Sequence, residues 1–254
     1  MSQRSNQSNN LNRANQPSPL SQSNQQIRLN KFLAERLGIS RREADEIIEK
    51  GLVFVDEKTG VIGQRIDKNS KVCYNKKVIP FSLEKIYILM NKPVGYVCSR
   101  KRQGDSPTVY ELLPEKFKDL KAVGRLDKDS SGLILFTNDG DFAFRMTHPK
   151  FFKTKIYHVE LDKNLEPLHQ QMIGDFGVQL EDGISKLGLV RLEPEGASER
   201  RRFEVSMHEG RNRQIRRTFR ALGYEVVKLH RIEFGNYKLE KLKPGEIIEV
   251  SGEN

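Results

Sequence analysis

The apolar positions after residue 26 change period several times, and the changes mark the elements. Leu29, Phe32, Leu33 and Leu37 fall on one helical face, and Gly38 stops that helix. A second helix follows at once. Ser40 and Glu43 have the spacing of a capping box, Ala44, Ile47 and Ile48 give the apolar face, and Gly51 is the expected terminator. Leu52 to Val55 then reads as a strand. Residues 1–26 are dominated by Ser, Asn and Gln, with too little apolar surface to offset their ordering entropy, and are expected to form a disordered polar tail. The lysine-rich stretch Asn75 to Lys77 and Pro80 read as a linker. These marks divide the chain into a tail, a small module with its linker over residues 27–83, and a larger domain over residues 84–254.

The larger domain alternates strands with short helices. Ile86 to Met90 is an apolar strand and Asn91-Lys92-Pro93-Val94-Gly95 a turn by composition. Tyr110 to Leu120 predicts a short helix broken by Pro114. Leu133 to Phe136 is a continuous apolar run, as in a buried strand. Phe142 to Met146 predicts a short helix that His148-Pro149 ends; nothing places a second ligand beside His148. Lys155 to Leu161 alternates, with Tyr157, Val159 and Leu161 on the apolar face. Further strands are expected at Leu187 to Arg191 and Arg202 to Met207, and the residues between Gly174 and Asp182 read as turns. Near the end, Arg213, Arg216, Arg217 and Arg220 share one helical face while Ile215, Phe219 and Leu222 share the opposite one. The pattern as a whole is α+β.

Composition narrows the partners. A chain of 254 residues, 36% hydrophobic, can bury a real core. Its net charge of +10 favours a polyanion, nucleic acid being commoner than an acidic membrane surface. No apolar run approaches the roughly 18 residues of a membrane span, and the N-terminus lacks a signal peptide's apolar core, so a cytoplasmic protein is expected. Cys73 and Cys98 are isolated thiols, which indicates neither a disulfide framework nor a zinc site.

Candidate chemistry concentrates in Gly124 to Phe136. Asp127 sits on a polar loop between glycines and is anchored by the strand that follows, a common way to build a site and also the look of an inert turn. Asp127 and Asp129 have the spacing of phosphotransferases that use the first Asp as nucleophile, but there the strand precedes the Asp. An EF-hand loop fails because its twelfth position, which needs Glu, is Asn138. Tyr157 faces inward, as core tyrosines do. The arginine face after Gly210 repels itself unless anions or acidic side chains meet it; RNA phosphate is one candidate, and one arginine answering Asp127 is another.

Two resemblances then join these pieces. Residues 28–55, R-L-N-K-F-L-A-E-R-L-G-I-S-R-R-E-A-D-E-I-I-E-K-G-L-V-F-V, resemble the S4 RNA-binding domain. That family grips structured RNA on a basic face, which implies phosphate contacts for Lys31, Arg41 and Arg42. Gly124-Arg125-Leu126-Asp127 with Ser131-Gly132-Leu133, then Lys155-Ile156-Tyr157, then Arg213-Gln214-Ile215-Arg216-Arg217, resemble in order the motifs of RsuA-type ribosomal RNA pseudouridine synthases. Asn91 to Gly95 and Leu229-His230-Arg231 are similar to that family too. The ungapped GxNRQIRR form is similar to the branch acting on large-subunit ribosomal RNA.

The resemblance implies a catalytic domain with a mixed, mainly antiparallel β-sheet flanked by helices. The implied enzyme isomerises uridine in a structured stem-loop of ribosomal RNA, as a monomer, with no cofactor or metal. Asp127 would be the essential carboxylate, Tyr157 would stack on the displaced base, and Arg216 would pair with Asp127 and orient it. Arg125, Arg213, Arg217 and Arg220 would join the RNA contacts and help offset base extrusion, which costs on the order of a few kcal/mol. The rival reading is a non-catalytic RNA-binding or assembly protein; a synthase acting on small-subunit or transfer RNA is a further alternative.

Overall fold

The computed structural model describes residues 26–82, 84–194 and 198–252. Apart from Gln26, the expected tail lies outside the described residues. Strand β1 (Ile27–Arg28) leads into α1 (Leu29–Arg36) and α2 (Arg41–Glu49), followed by β2 (Val53–Val55), β3 (Lys58–Thr59), β4 (Arg65–Ile66), β5 (Val72–Tyr74) and β6 (Lys77–Ile79). The capping box forms as its spacing predicts: Glu43 N–H donates to the Ser40 hydroxyl at 3.2 Å, and Ser40 N–H to the Glu43 carboxylate at 2.7 Å. Leu29, Phe32, Leu33, Ala44, Ile48, Val53 and Val72 close a core belonging to this module alone. The linker reading of Asn75 to Lys77 is corrected. Asn75 and Lys76 both have positive φ, 48° and 63°, and turn β5 into β6 as a hairpin inside the module.

Three helices, α3 (Gly140–Thr147), α4 (Pro167–Gln171) and α5 (Gln214–Ala221), belong to the second domain. Its strands are β7 (Tyr87–Lys92), β8 (Lys121–Val123), β9 (Ser131–Thr137), β10 (Lys155–Leu161), β11 (Val178–Leu180), β12 (Gly183–Ser185), β13 (Gly188–Arg191), β14 (Arg202–Met207), β15 (Val226–Phe234), β16 (Tyr237–Lys238) and β17 (Ile247–Glu249). One sheet runs β13-β14-β10-β15-β9-β7-β17, with β8 added to β9 and β16 to β15. Within it only β15 and β9 pair in parallel, so the sheet is mixed and mainly antiparallel, as expected.

Strand β9 is the spine. Ile134 and Phe136 enter one core with Val159 and Phe219, and Leu133 and Leu135 enter another with Phe142, Met146 and Phe234. A strand buried on both faces reads as an unbroken apolar run. Three local expectations change. The strand expected to end at Met90 continues through Asn91 and Lys92, so the turn begins at Pro93. The Tyr110 to Leu120 segment is two 3₁₀ turns, Val109–Leu112 and Glu115–Phe117, on either side of Pro114. The stretch from Gly174 to Asp182 holds the end of a π-helical turn, Met172–Phe176, and the strand β11.

The two domains touch through α1. Lys121 donates to the carbonyls of Ala34 at 3.1 Å and Ile39 at 2.8 Å, supplying a cation to the C-terminal end of α1. Lys31 reaches Asp141 in the first turn of α3. Lys31, expected to contact RNA, has its ammonium against the neighbouring domain in this structure.

Candidate active site

Residues 124–130 connect β8 to β9 and present Asp127. The loop is held from below by Lys92, which is fully buried and donates to the carbonyls of Ser130 at 2.6 Å, Pro93 at 3.0 Å and Asp127 at 3.1 Å. Among the described residues no carboxylate pairs with that ammonium, and burial lowers its pKa. Gly95 N–H donates to Lys128 O at 2.7 Å and Leu126 N–H to the Cys98 thiol at 3.4 Å, so the loop is fastened at four residues. Gly132 has φ of 107°, and a Cβ there would lie 2.2 Å from the Arg231 carbonyl oxygen. The missing side chain at Gly132 therefore serves packing within the fold. It admits the backbone of β15, whose parallel pairing with β9 begins here.

The arginines close over this loop from the other side. Arg213 makes a two-pronged contact with Asp129, at 3.1 and 3.0 Å, and its Nη1 lies 3.4 Å from an Asp127 carboxylate oxygen. The Arg213 guanidinium holds the Asp129 carboxyl below its ordinary pKa. Arg216 is buried; it donates to Val226 O at 2.6 Å and Asp129 O at 2.9 Å, and its Nε lies 3.3 Å from the Asp129 carboxylate. The expected Arg216–Asp127 pair is thus replaced by Arg213–Asp127 and Arg216–Asp129. The reason is local: Arg213 takes left-handed angles, φ 46° and ψ 32°, and caps α5 instead of lying on its face.

The single arginine face is likewise revised. Arg217 pairs with Asp182 at 2.7 Å and Arg220 with Glu225 at 2.9 Å, so protein carboxylates answer the repulsion. Among the residues expected to contact RNA, Arg41 and Arg42 are exposed and make no ion pair among the described residues. Arg125 is exposed at the rim of the site.

Asp127, Arg125 and Arg213 border a cavity of about 490 Å³ whose apolar wall is Tyr157, Leu229, Ile215 and Phe234. The volume suits a nucleotide. Tyr157 is 7% exposed, on the apolar face of β10 as its alternation predicts. Two cations in this wall escaped sequence reasoning. Lys155 is on the same buried face, bonded to the carbonyls of His208 and Glu209 at 3.2 and 3.4 Å; burial, aided by Arg231, pushes its pKa down to about 8. Arg231 is 2% exposed, donates to Leu133 O at 2.7 Å and lies over the Phe234 ring. Of the two carboxylates lining the cavity among the described residues, Glu209 is held by Arg211 at 3.2 Å and bonds Gln214. Among the described residues the Asp127 carboxylate meets only Arg213, and more loosely.

Comparisons with known proteins identify the family. Residues 86–221 match the sequence profile of the RNA pseudouridylate synthase family, and residues 27–59 that of the S4 domain. The chain is 34% identical over 232 residues to the ribosomal small subunit pseudouridine synthase A of Pasteurella multocida, covering 89% of this chain and 97% of the relative. It is 32% identical over 228 residues to the ribosomal large subunit pseudouridine synthase B of Bacillus subtilis, covering 88% and 92%. A solved structure described as a pseudouridylate synthase superposes with a TM-score of 0.63 at 30% identity, covering 89% of this chain and 96% of that one. With the carboxylate loop, the tyrosine wall and the arginine clamp in place, the chain belongs to the RNA pseudouridylate synthase family, as a synthase domain preceded by an S4 domain.

Proposed function

We propose that this protein isomerises one uridine in a stem-loop of ribosomal RNA, acting as a cytoplasmic monomer, with Asp127 as its essential carboxylate. The observation that carries the reading is Asp127 itself, a half-buried carboxylate on a loop fastened by Lys92 and facing a nucleotide-sized cavity beside Tyr157. In the reaction the N1–C1′ bond breaks, a C5–C1′ bond forms, and the C5 proton is lost while N1 gains one. No electrons enter or leave. Asp127 suits either addition to C1′ or removal of a sugar proton. Tyr157 offers its ring to the detached uracil, and Arg213 and Arg216 keep the Asp127–Asp129 edge in register.

Ribosomal RNA is favoured because the named relatives act on it, and they divide between the two subunits. The GxNRQIRR form favours the large subunit. The test is pseudouridine mapping of both ribosomal RNAs from cells lacking the protein, complemented with the wild-type chain or Asp127→Asn. A site restored by the wild type alone supports the reading and fixes the subunit. No difference at any ribosomal site refutes ribosomal RNA as the substrate.

A further inference from the structure

Helix α3 runs from the Lys31–Asp141 contact with the S4 module to Thr147 and Pro149 at the cavity wall. Aromatic rings lie exposed along and just beyond this path. Phe144 is 46% exposed, Phe151 36% and Phe152 73%. Phe144 and Phe151 meet edge to face at 5.7 Å, and the His148 ring lies 4.7 Å from Phe144. The Lys150 ammonium sits over both rings, at 5.1 and 4.8 Å. Phe152 takes part in none of these ring contacts.

Its backbone is strained as well. Phe152 has φ 48° and ψ 36°, left-handed angles that a bulky L residue rarely adopts and that persist only where the surroundings enforce them. The Phe152 N–H donates to Pro149 O at 3.0 Å, and its carbonyl lies 3.3 Å from Nδ1 of His208, which precedes the cavity-lining Glu209 and Gly210. The turn therefore ties the aromatic surface to the far wall of the cavity and leaves a large ring facing water.

RNA that follows α3 from the S4 module to the cavity would cross this surface. Aromatic rings interleaved with cations are the usual platform for unpaired nucleotides. Extruding a uridine also leaves its neighbours unstacked, so a ring at the cavity rim replaces what they lose. We propose that Phe152, backed by the Phe144–Phe151–Lys150 cluster, stacks against an unpaired nucleotide adjoining the extruded uridine, with the Lys150 ammonium near its phosphate. The proposal rests on the ribosomal RNA reading above.

The test is steady-state kinetics on a ribosomal RNA fragment containing the mapped uridine, with Phe152→Ala, Phe152→Asn, which suits left-handed angles, and Phe152→Trp. Stacking of this kind predicts a KM raised about 5- to 50-fold in the Ala and Asn variants, kcat within about twofold of wild type, and recovery in the Trp variant. Fragments carrying 2-aminopurine beside the target should be quenched on binding wild type and not on binding Phe152→Ala. A wild-type KM with wild-type quenching in both the Ala and Asn variants overturns the platform alone, and so does a raised KM that Trp fails to recover. No product from the wild-type chain overturns the substrate reading, and the platform with it.

Discussion

The arginines of residues 211–220 and those opening α2 are the same side chain in opposite circumstances. In the synthase domain Arg211 and Arg217 hold Asp182, Arg213 holds Asp129, Arg216 holds the carbonyls of Asp129 and Val226, and Arg220 holds Glu225. Arg41 and Arg42 stand in the first turn of α2, the end of a helix where cations are unfavourable, with no carboxylate paired to them among the described residues. An arginine cluster is therefore no measure of RNA contact. Arg211 and Arg213 wall the cavity beside Asp127 and Arg216 clamps its loop, whereas Arg41 and Arg42 have no carboxylate partner among the described residues.

The largest effect should come from the group the wall serves. Asp127→Asn should lower kcat by at least about a thousandfold while changing RNA affinity less than about threefold, read by single-turnover assay and filter binding. Substantial turnover in this variant would detach the chemistry from the loop. Next is Arg216→Ala, which strands buried carbonyls and should cost about 3 kcal/mol in denaturant unfolding, with kcat falling on the order of a hundredfold. A stable, active Arg216→Ala enzyme would show that the wall does not need its buried clamp.

The pair Arg41→Ala and Arg42→Ala should raise KM by about tenfold, leave kcat alone and flatten the salt dependence by a slope of about 1 to 2. Arg220→Ala, removing an exposed ion pair, should leave stability close to wild type and change KM by less than about twofold. A larger KM effect at Arg220 than at Arg41 and Arg42 would reverse the comparison. A last signal, read in stability against pH and not in turnover, comes from Lys155. Its pKa of about 8 in the fold, below the ordinary 10.5, means the native state releases this proton first as pH rises. Wild type should gain stability relative to Lys155→Met between pH 8 and 10.5, with no such gain below pH 7.

The local chemistry was legible in the sequence. The Ser40–Glu43 box, the buried run of β9, the inward face of Tyr157 and the Asp127 loop all follow from spacing within about ten residues, because helices and strands repeat over that range. The hairpin turn at Asn75 and Lys76 was within reach too, since Asn tolerates left-handed angles. Lys92 left a fainter signal, a lysine directly after an apolar strand, and no local rule tells whether such a lysine meets water or the underside of a loop.

By itself, then, the sequence determined most of the helices and strands, singled out the Asp127 loop as a site or an inert turn, and showed that the chain carries surplus positive charge. Tertiary structure alone decided the pairings. Arg213 and Asp129 are 84 residues apart, Lys92 and Ser130 are 38 apart, and Lys31 and Asp141 are 110 apart. Such contacts depend on how β9, β15 and α5 pack, and the backbone angle at one residue, Arg213, was enough to change which arginine reaches Asp127. The strength of an ion pair depends on separation and on burial, and neither is encoded in residue type.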